Sequence, residues 1–361
     1  MKNIIILLAL LLLGIFAKSS LVPDTPTYTP SDISKDIIKP PFIPTKYLSQ
    51  HTRYPFNING IEAEIPYATN LKIDQNHPEI TRLVLAIHSS SYNPDYYLDN
   101  VLLVLDNKPS QQQKTLIITP AFYRQDKTSL SDIMVWRTSP FWGGSRGLYK
   151  GKKVNLSAYE ILDDILEHII TSNHFPNLRD IIILGHSAGG QLVNRYAAVN
   201  RIEDTIAIKH NISISYLVMA PSSYVYLDAK RIYRNDDSVQ FRVPFNAHKK
   251  YNNWGYGLKH LYGYHKRHHI TRDMIRFQYQ YRNVLYLVGS KDTKKAALDQ
   301  SKSAMLEGKN RLQRLKNYYL HLQNHYGQEI TEYHHMAIIQ GVGHSSRRLM
   351  LSDEGKRFIL Q

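Results

Sequence analysis

Short apolar runs recur along the chain with no polar residue inside them: 83–87 (LVLAI), 116–118 (LII), 181–184 (IIIL), 217–219 (LVM), 284–288 (VLYLV) and 337–339 (AII). Runs of this length without alternation predict strands covered on both faces, as in a parallel sheet. Helical spacing appears between them. Behind Ser157, a good N-cap residue, Ile161, Leu162, Ile165, Leu166, Ile169 and Ile170 repeat every three to four positions. A second helix is expected over 191–199. Strand and helix in alternation predict an α/β fold, a doubly wound, mostly parallel sheet. No repeat of solenoid length interrupts this order.

Two regions depart from the rhythm. Residues 21–54 carry Pro23, Pro26, Pro30, Pro40, Pro41 and Pro44 in polar sequence and read as an extended arm or linker. Residues 222–283, between the strand ending at Met219 and the one starting near Val284, are rich in Tyr, His, Lys and Arg. That stretch is too long for a plain connection and is expected to form a cap or lid. The main domain is therefore expected over 55–361.

The first twenty residues predict export. Lys2 precedes a nearly unbroken apolar run over 4–17, with small residues at Ala17, Ser19 and Ser20. The run falls short of the ~20 residues a membrane span needs, so it reads as a signal peptide cleaved between Ala17 and Ser20. The chain has no Cys, which excludes disulfides, thiol chemistry and Cys-ligated zinc. Its net charge of +15, from 45 Lys and Arg against 30 Asp and Glu, favours anionic partners. Candidates are an acidic polymer, a lipid substrate and peripheral contact with an anionic membrane. No nucleic-acid-binding motif is present, and nucleic acid is not expected as a partner. The histidines of 248–269 match no metal-ligand spacing, and neither metal nor cofactor is expected.

The candidate chemistry begins at Gly185-His186-Ser187-Ala188-Gly189, directly after an expected strand and before an expected helix. Strand, G-x-S-x-G and helix together form the nucleophile-elbow pattern: glycines on either side give the serine room to sit on a sharp turn. A nucleophilic serine needs a base, and the base needs an orienting carboxylate. In this arrangement they follow in the order Ser, acid, His. His344, in "GVGH" after the last apolar run, is the candidate base. Asp292, in "VGSKD", is the candidate acid, with Asp299 and Asp228 as rivals. The oxyanion donors are expected at the N–H of Ala188 and at Ser89 or Ser90, after the strand at 83–87. His88 is expected to be structural. Trp136 and Trp142 are candidates for an aromatic wall over the acyl site.

These motifs, "HSSS", "GHSAGG", "GSKD" and "GVGH", resemble the α/β-hydrolase superfamily over residues 55–361. Longer phrases such as "FPNLRDIIILGHSAGGQLVNRYAAV" and "NWGYGL" resemble a largely uncharacterised branch of exported microbial serine hydrolases. The resemblance implies carboxylic ester hydrolysis through Ser187, His344 and Asp292, with the cap between the sixth and seventh strands. One departure stands out: the superfamily's oxyanion loop usually reads His-Gly, and here Ser89 follows His88. If that position needed a positive φ, serine would be strained there. Three other functions use the same residues or charges: a serine peptidase, a binding protein with an inactive site, and a basic protein held at anionic membranes.

Overall fold

The computed structural model describes residues 52–106, 108–137, 141–235 and 238–361. The expected signal peptide and nearly all of the expected arm lie outside the described residues. Among the described residues no helix is long and apolar enough to cross a membrane.

Eight strands form the central sheet: β1 (Arg53–Ile58), β2 (Ile61–Thr69), β3 (Arg82–Ile87), β4 (Thr115–Pro120), β5 (Asp180–His186), β6 (Ser213–Met219), β7 (Asn283–Gly289) and β8 (His334–Ile339). Their order across the sheet is β1-β2-β4-β3-β5-β6-β7-β8. β1 and β2 are antiparallel, β2 runs antiparallel to β4, and every pairing from β4 to β8 is parallel. All six apolar runs are strands of this parallel part. Every residue of β3 and β4 is buried, because helices cover both faces.

β1 and β2 were not among the expected strands, and β1 begins at Arg53, ahead of the expected domain boundary. They close around Asn59-Gly60, with φ of 53° and 75°. Positive φ at both turn residues makes the two-residue turn that suits the twist of a hairpin.

The helices that matter for the site are α1 (Pro94–Leu105), α2 (Ala158–Thr171), α3 (Ala188–Val199), α4 (Arg272–Gln280), α5 (Arg311–Tyr326) and α6 (Asp353–Leu360). Ser157 caps α2 as expected, inside a reciprocal capping box: its N–H donates to Glu160 Oε2 at 2.8 Å and its Oγ accepts from the Tyr159 N–H. α3 is buried along its whole length.

The expected cap region is largely part of the body. Tyr224, Val225, Tyr226 and Leu227 are fully buried directly after β6. The Trp254 indole donates to Gly143 O at 2.9 Å, and Tyr264 donates to Asp163 Oδ2 at 2.7 Å. The region ends in α4, where the Tyr279 hydroxyl accepts from Asn194 Nδ2 of α3 at 2.8 Å. Between these points lies a small hairpin, Arg231–Arg234 paired with Val239–Arg242. Buried arginines hold the region by its carbonyls. Arg195 of α3 donates to Gly255 O at 2.6 Å, and Arg231 donates to Tyr256 O at 2.8 Å. Glu307 receives the Tyr224 N–H at 2.9 Å.

Glu307 gives this packing a pH dependence. Burial raises its carboxyl from 4.5 to about 8, with the charge of Arg314 opposing. A group raised in the folded state stabilises below its unfolded pKa and loses that contribution as pH rises through the folded value. Glu307→Gln is therefore expected to gain stability relative to the native protein between pH 5 and pH 8.5. Urea midpoints of both proteins across that range check it; a constant difference contradicts the assignment.

Candidate active site

Ser187 stands at the end of β5 with φ 56° and ψ −112°, outside the ordinary regions for a residue with a Cβ. Its N–H donates to Met219 O of β6 at 2.9 Å, which pins the turn to the neighbouring strand. The surrounding glycines are required by close approach. A Cβ on Gly185 would fall 2.5 Å from the backbone of Gly189. One on Gly189 would fall 2.2 Å from Ile87 O, and one on Gly190 2.6 Å from Met219 O. Helix α3 thus rests directly on the ends of β3, β5 and β6, and its N-terminus begins at Ala188, right after the serine. Ser187 is 6% exposed.

His344 and Asp292 meet beside this turn. His344 Nδ1 lies 2.7 Å from Asp292 Oδ2, joining the loops that follow β8 and β7. Backbone bonds lock those loops together: Ser290 N–H donates to Ile339 O at 2.9 Å and Lys291 N–H to Val342 O at 2.8 Å. Gly289 admits this contact, since a Cβ there would fall 2.1 Å from Val342 O. His344 is connected to the serine turn through His186, whose ring centroid lies 4.3 Å from its own. His186 is buried, and desolvation, then the charges of His344 and Arg311, push its pKa well below the ordinary value, so it is neutral. It contributes packing rather than charge.

The rival acids are engaged elsewhere. Asp299 accepts from Tyr256 Oη at 2.6 Å, and Asp228 lies 3.5 Å from His325 Nδ1. Neither has a recorded contact with His344. One partner of Asp292 had no sequence signal: Arg311, at the start of α5, places Nη1 3.6 Å from Asp292 Oδ1, with both side chains 1% exposed. Its Nη atoms also donate to Ala296 O and Ala297 O. An arginine nineteen positions beyond an aspartate is unremarkable until the loop folds back.

The loop after β3 is organised by His88. Its Nδ1–H donates to Ser89 O at 2.7 Å and its Nε2 accepts the Phe122 N–H at 2.8 Å. Both ring nitrogens are used, and full burial lowers its pKa to about 4. His88 is a neutral strut, as expected. Ser89 is half-buried and is absent from the residues with positive φ, so serine is not strained here by a need for glycine. Its carbonyl also accepts the Tyr92 N–H at 3.1 Å, and its own N–H and hydroxyl both lie against the buried Tyr97 hydroxyl. Ser90 is exposed. The Ala188 N–H, in the first turn of α3, has no intrahelical acceptor.

The two tryptophans differ. Trp136 is 1% exposed, its indole donates to Ser145 O at 3.0 Å, and its ring packs edge-on against Phe122. That leaves it no free face for a wall. Trp142 is half-buried and packs edge-on against Phe141, whose ring sits 5.1 Å from His88. Among the described residues no three His, Asp or Glu side chains gather as metal ligands.

Gly189→Ala is expected to cost about 3 kcal/mol or more, because its methyl meets the Ile87 and His88 carbonyls rather than a yielding side chain. A urea melt that moves by less than a third of that would contradict the packing described.

No family model matches the chain, and no curated protein matches it. Solved structures do. It is similar to poly(aspartic acid) hydrolase-1 from Sphingomonas sp. KT-1, at 14% identity and a TM-score of 0.57, over 86% of this chain and 98% of that one. It is similar to LpqC, a poly(3-hydroxybutyrate) depolymerase from Bordetella parapertussis, at 17% identity and a TM-score of 0.56, over 85% and 94%. With its mostly parallel sheet of eight strands covered by helices, the chain has the α/β-hydrolase fold.

Proposed function

We propose that this protein is a serine hydrolase that cleaves carboxylic esters through an acyl-enzyme intermediate. The observation that carries the reading is the 2.7 Å bond between His344 and Asp292 at the ends of adjacent strands, beside a serine held at positive φ. Ser187 Oγ attacks the ester carbonyl as His344 Nε2 takes its proton. Asp292 keeps Nδ1–H as the donor and stabilises the imidazolium that forms. The negative oxygen of the tetrahedral intermediate is received by the N–H groups of Ala188 and Ser89, aided by the N-terminus of α3. His344 returns the proton to the leaving alkoxide. A water, deprotonated by the same imidazole, then releases the acid.

The names of the two structural relatives, a hydrolase and a depolymerase, are in keeping with hydrolysis. Both name polymers, and a polymeric ester is part of the proposal. Export through the apolar run at 4–17 belongs to it as well.

The test uses a fluorophosphonate probe and nitrophenyl esters of increasing acyl length. The native protein is expected to be labelled and to turn esters over. Ser187→Ala should take no label and lose about 10⁴-fold or more in kcat. Asp292→Asn should fold normally and lose about 10³- to 10⁴-fold. A folded native protein that neither labels nor hydrolyses any ester overturns the proposal.

A further inference from the structure

The charge of this chain is concentrated in two stretches. Residues 133–159 hold five Lys or Arg and no Asp or Glu. Residues 238–272 hold seven and again no Asp or Glu. They are far apart in sequence and meet in the fold. A Cβ on Gly263 would lie 3.1 Å from Gly144 O, and the Trp254 indole donates to Gly143 O.

Two cavities open where they meet. One, of about 490 Å³, is lined by Arg137, Arg146, Lys153 and Tyr262. The other, of about 600 Å³, is lined by Tyr262, Lys266 and Arg272, with His260 beside them. Tyr262, 43% exposed, belongs to both. No carboxylate lines either cavity, and among the described residues none of these five cations has an acidic partner. Like charges brought together without counter-ions raise the local potential and are stabilised by an anion placed between them. Cations divided between two cavities that share Tyr262, rather than converging on a point, suit an extended ligand. The loop that carries Arg137 and Arg146 also packs Phe141 against His88, ahead of Ser89.

We propose that the two cavities form one basic groove that binds a chain bearing repeated carboxylates. Calling that chain a substrate rests on the serine-hydrolase reading; its binding does not. Guanidinium forks at Arg137, Arg146 and Arg272 take carboxylates bidentately, and Lys153 and Lys266 act as point charges.

The experiment measures fluorescence anisotropy of labelled poly-L-aspartate with the full-length Ser187→Ala protein, so that binding is read without turnover. A groove variant adds Arg137→Gln, Arg146→Gln and Lys153→Gln. A control variant instead adds Lys114→Gln, Lys209→Gln and Lys316→Gln, which removes the same charge from exposed positions outside the groove. Circular dichroism confirms folding of each. The groove variant is expected to bind about tenfold more weakly or worse, and the control within about twofold of the parent. Equal losses in both variants would reduce binding to overall charge and overturn the groove. Tighter, groove-dependent binding of polyuridylate or of phosphatidylglycerol vesicles would overturn the choice of a carboxylate chain. Displacement by inorganic phosphate at equal molar concentration would make it a single-anion pocket, with the same result. Probe labelling of native Ser187 separates this test from that of the activity: chain binding without labelling leaves the groove and removes the hydrolase.

Discussion

Helix α3 has no clearance from the sheet at its first turn. Backbone lies on backbone there: the carbonyls of Ile87, His88 and Met219 occupy the places where Gly189 and Gly190 would carry a methyl. Everything around the site follows from that contact. It forces the chain at Ser187 into a conformation costing of order 1–3 kcal/mol, which the buried α3 and its neighbours must offset. It aims the N-terminus of α3 at the serine. It also holds the carbonyls of Ile87 and His88, at the end of β3, against the first turn of α3.

Much of this architecture could be read from sequence, for a physical reason. A strand buried on both faces must be apolar throughout, so the six parallel strands announced themselves as uninterrupted runs. β1 and β2 escaped because β1 alternates between buried and more exposed positions, and the apolar run of β2 is broken by Glu62, Glu64 and Pro66. The Asn59-Gly60 pair between them was the available signal. Ser187, Asp292 and His344 could be singled out because each lies in a segment that follows one of these strands. Arg311 was not, since only the folded path of the loop after β7 returns it to Asp292. Trp136 misled for the opposite reason: an aromatic residue in a Gly-rich loop looks like a site lining until its partners, Phe122 and Ser145, are known.

The region between β6 and β7 shows the same limit of composition as a guide. Its length and its abundance of Tyr, His, Lys and Arg suggested a cap or lid. Many of those residues are instead interior. Tyr224, Tyr226, Tyr264 and Tyr279 are fully buried, and His265 packs on Trp254 with its pKa lowered to about 4 by burial. Tyr264 is buried with its hydroxyl on Asp163, Tyr279 with its hydroxyl on Asn194, and Arg231 with its guanidinium on carbonyls of the region's own loops, whereas Tyr224 and Tyr226 bury hydroxyls that have no hydrogen-bond partner among the described residues. Its Lys and Arg outside these networks remain on the surface, which is how a chain with an interior this polar still carries its excess charge outward.

The position of β8 has one more consequence. It is the edge strand, paired only to β7, and apart from His334 its residues are half-buried or exposed. Edge elements open locally at a lower free energy than central ones. His344 hangs from that edge, whereas Ser187 hangs from the centre. Warming would therefore loosen the loop that holds the imidazole while the serine turn was still intact, fraying this margin before the core melted.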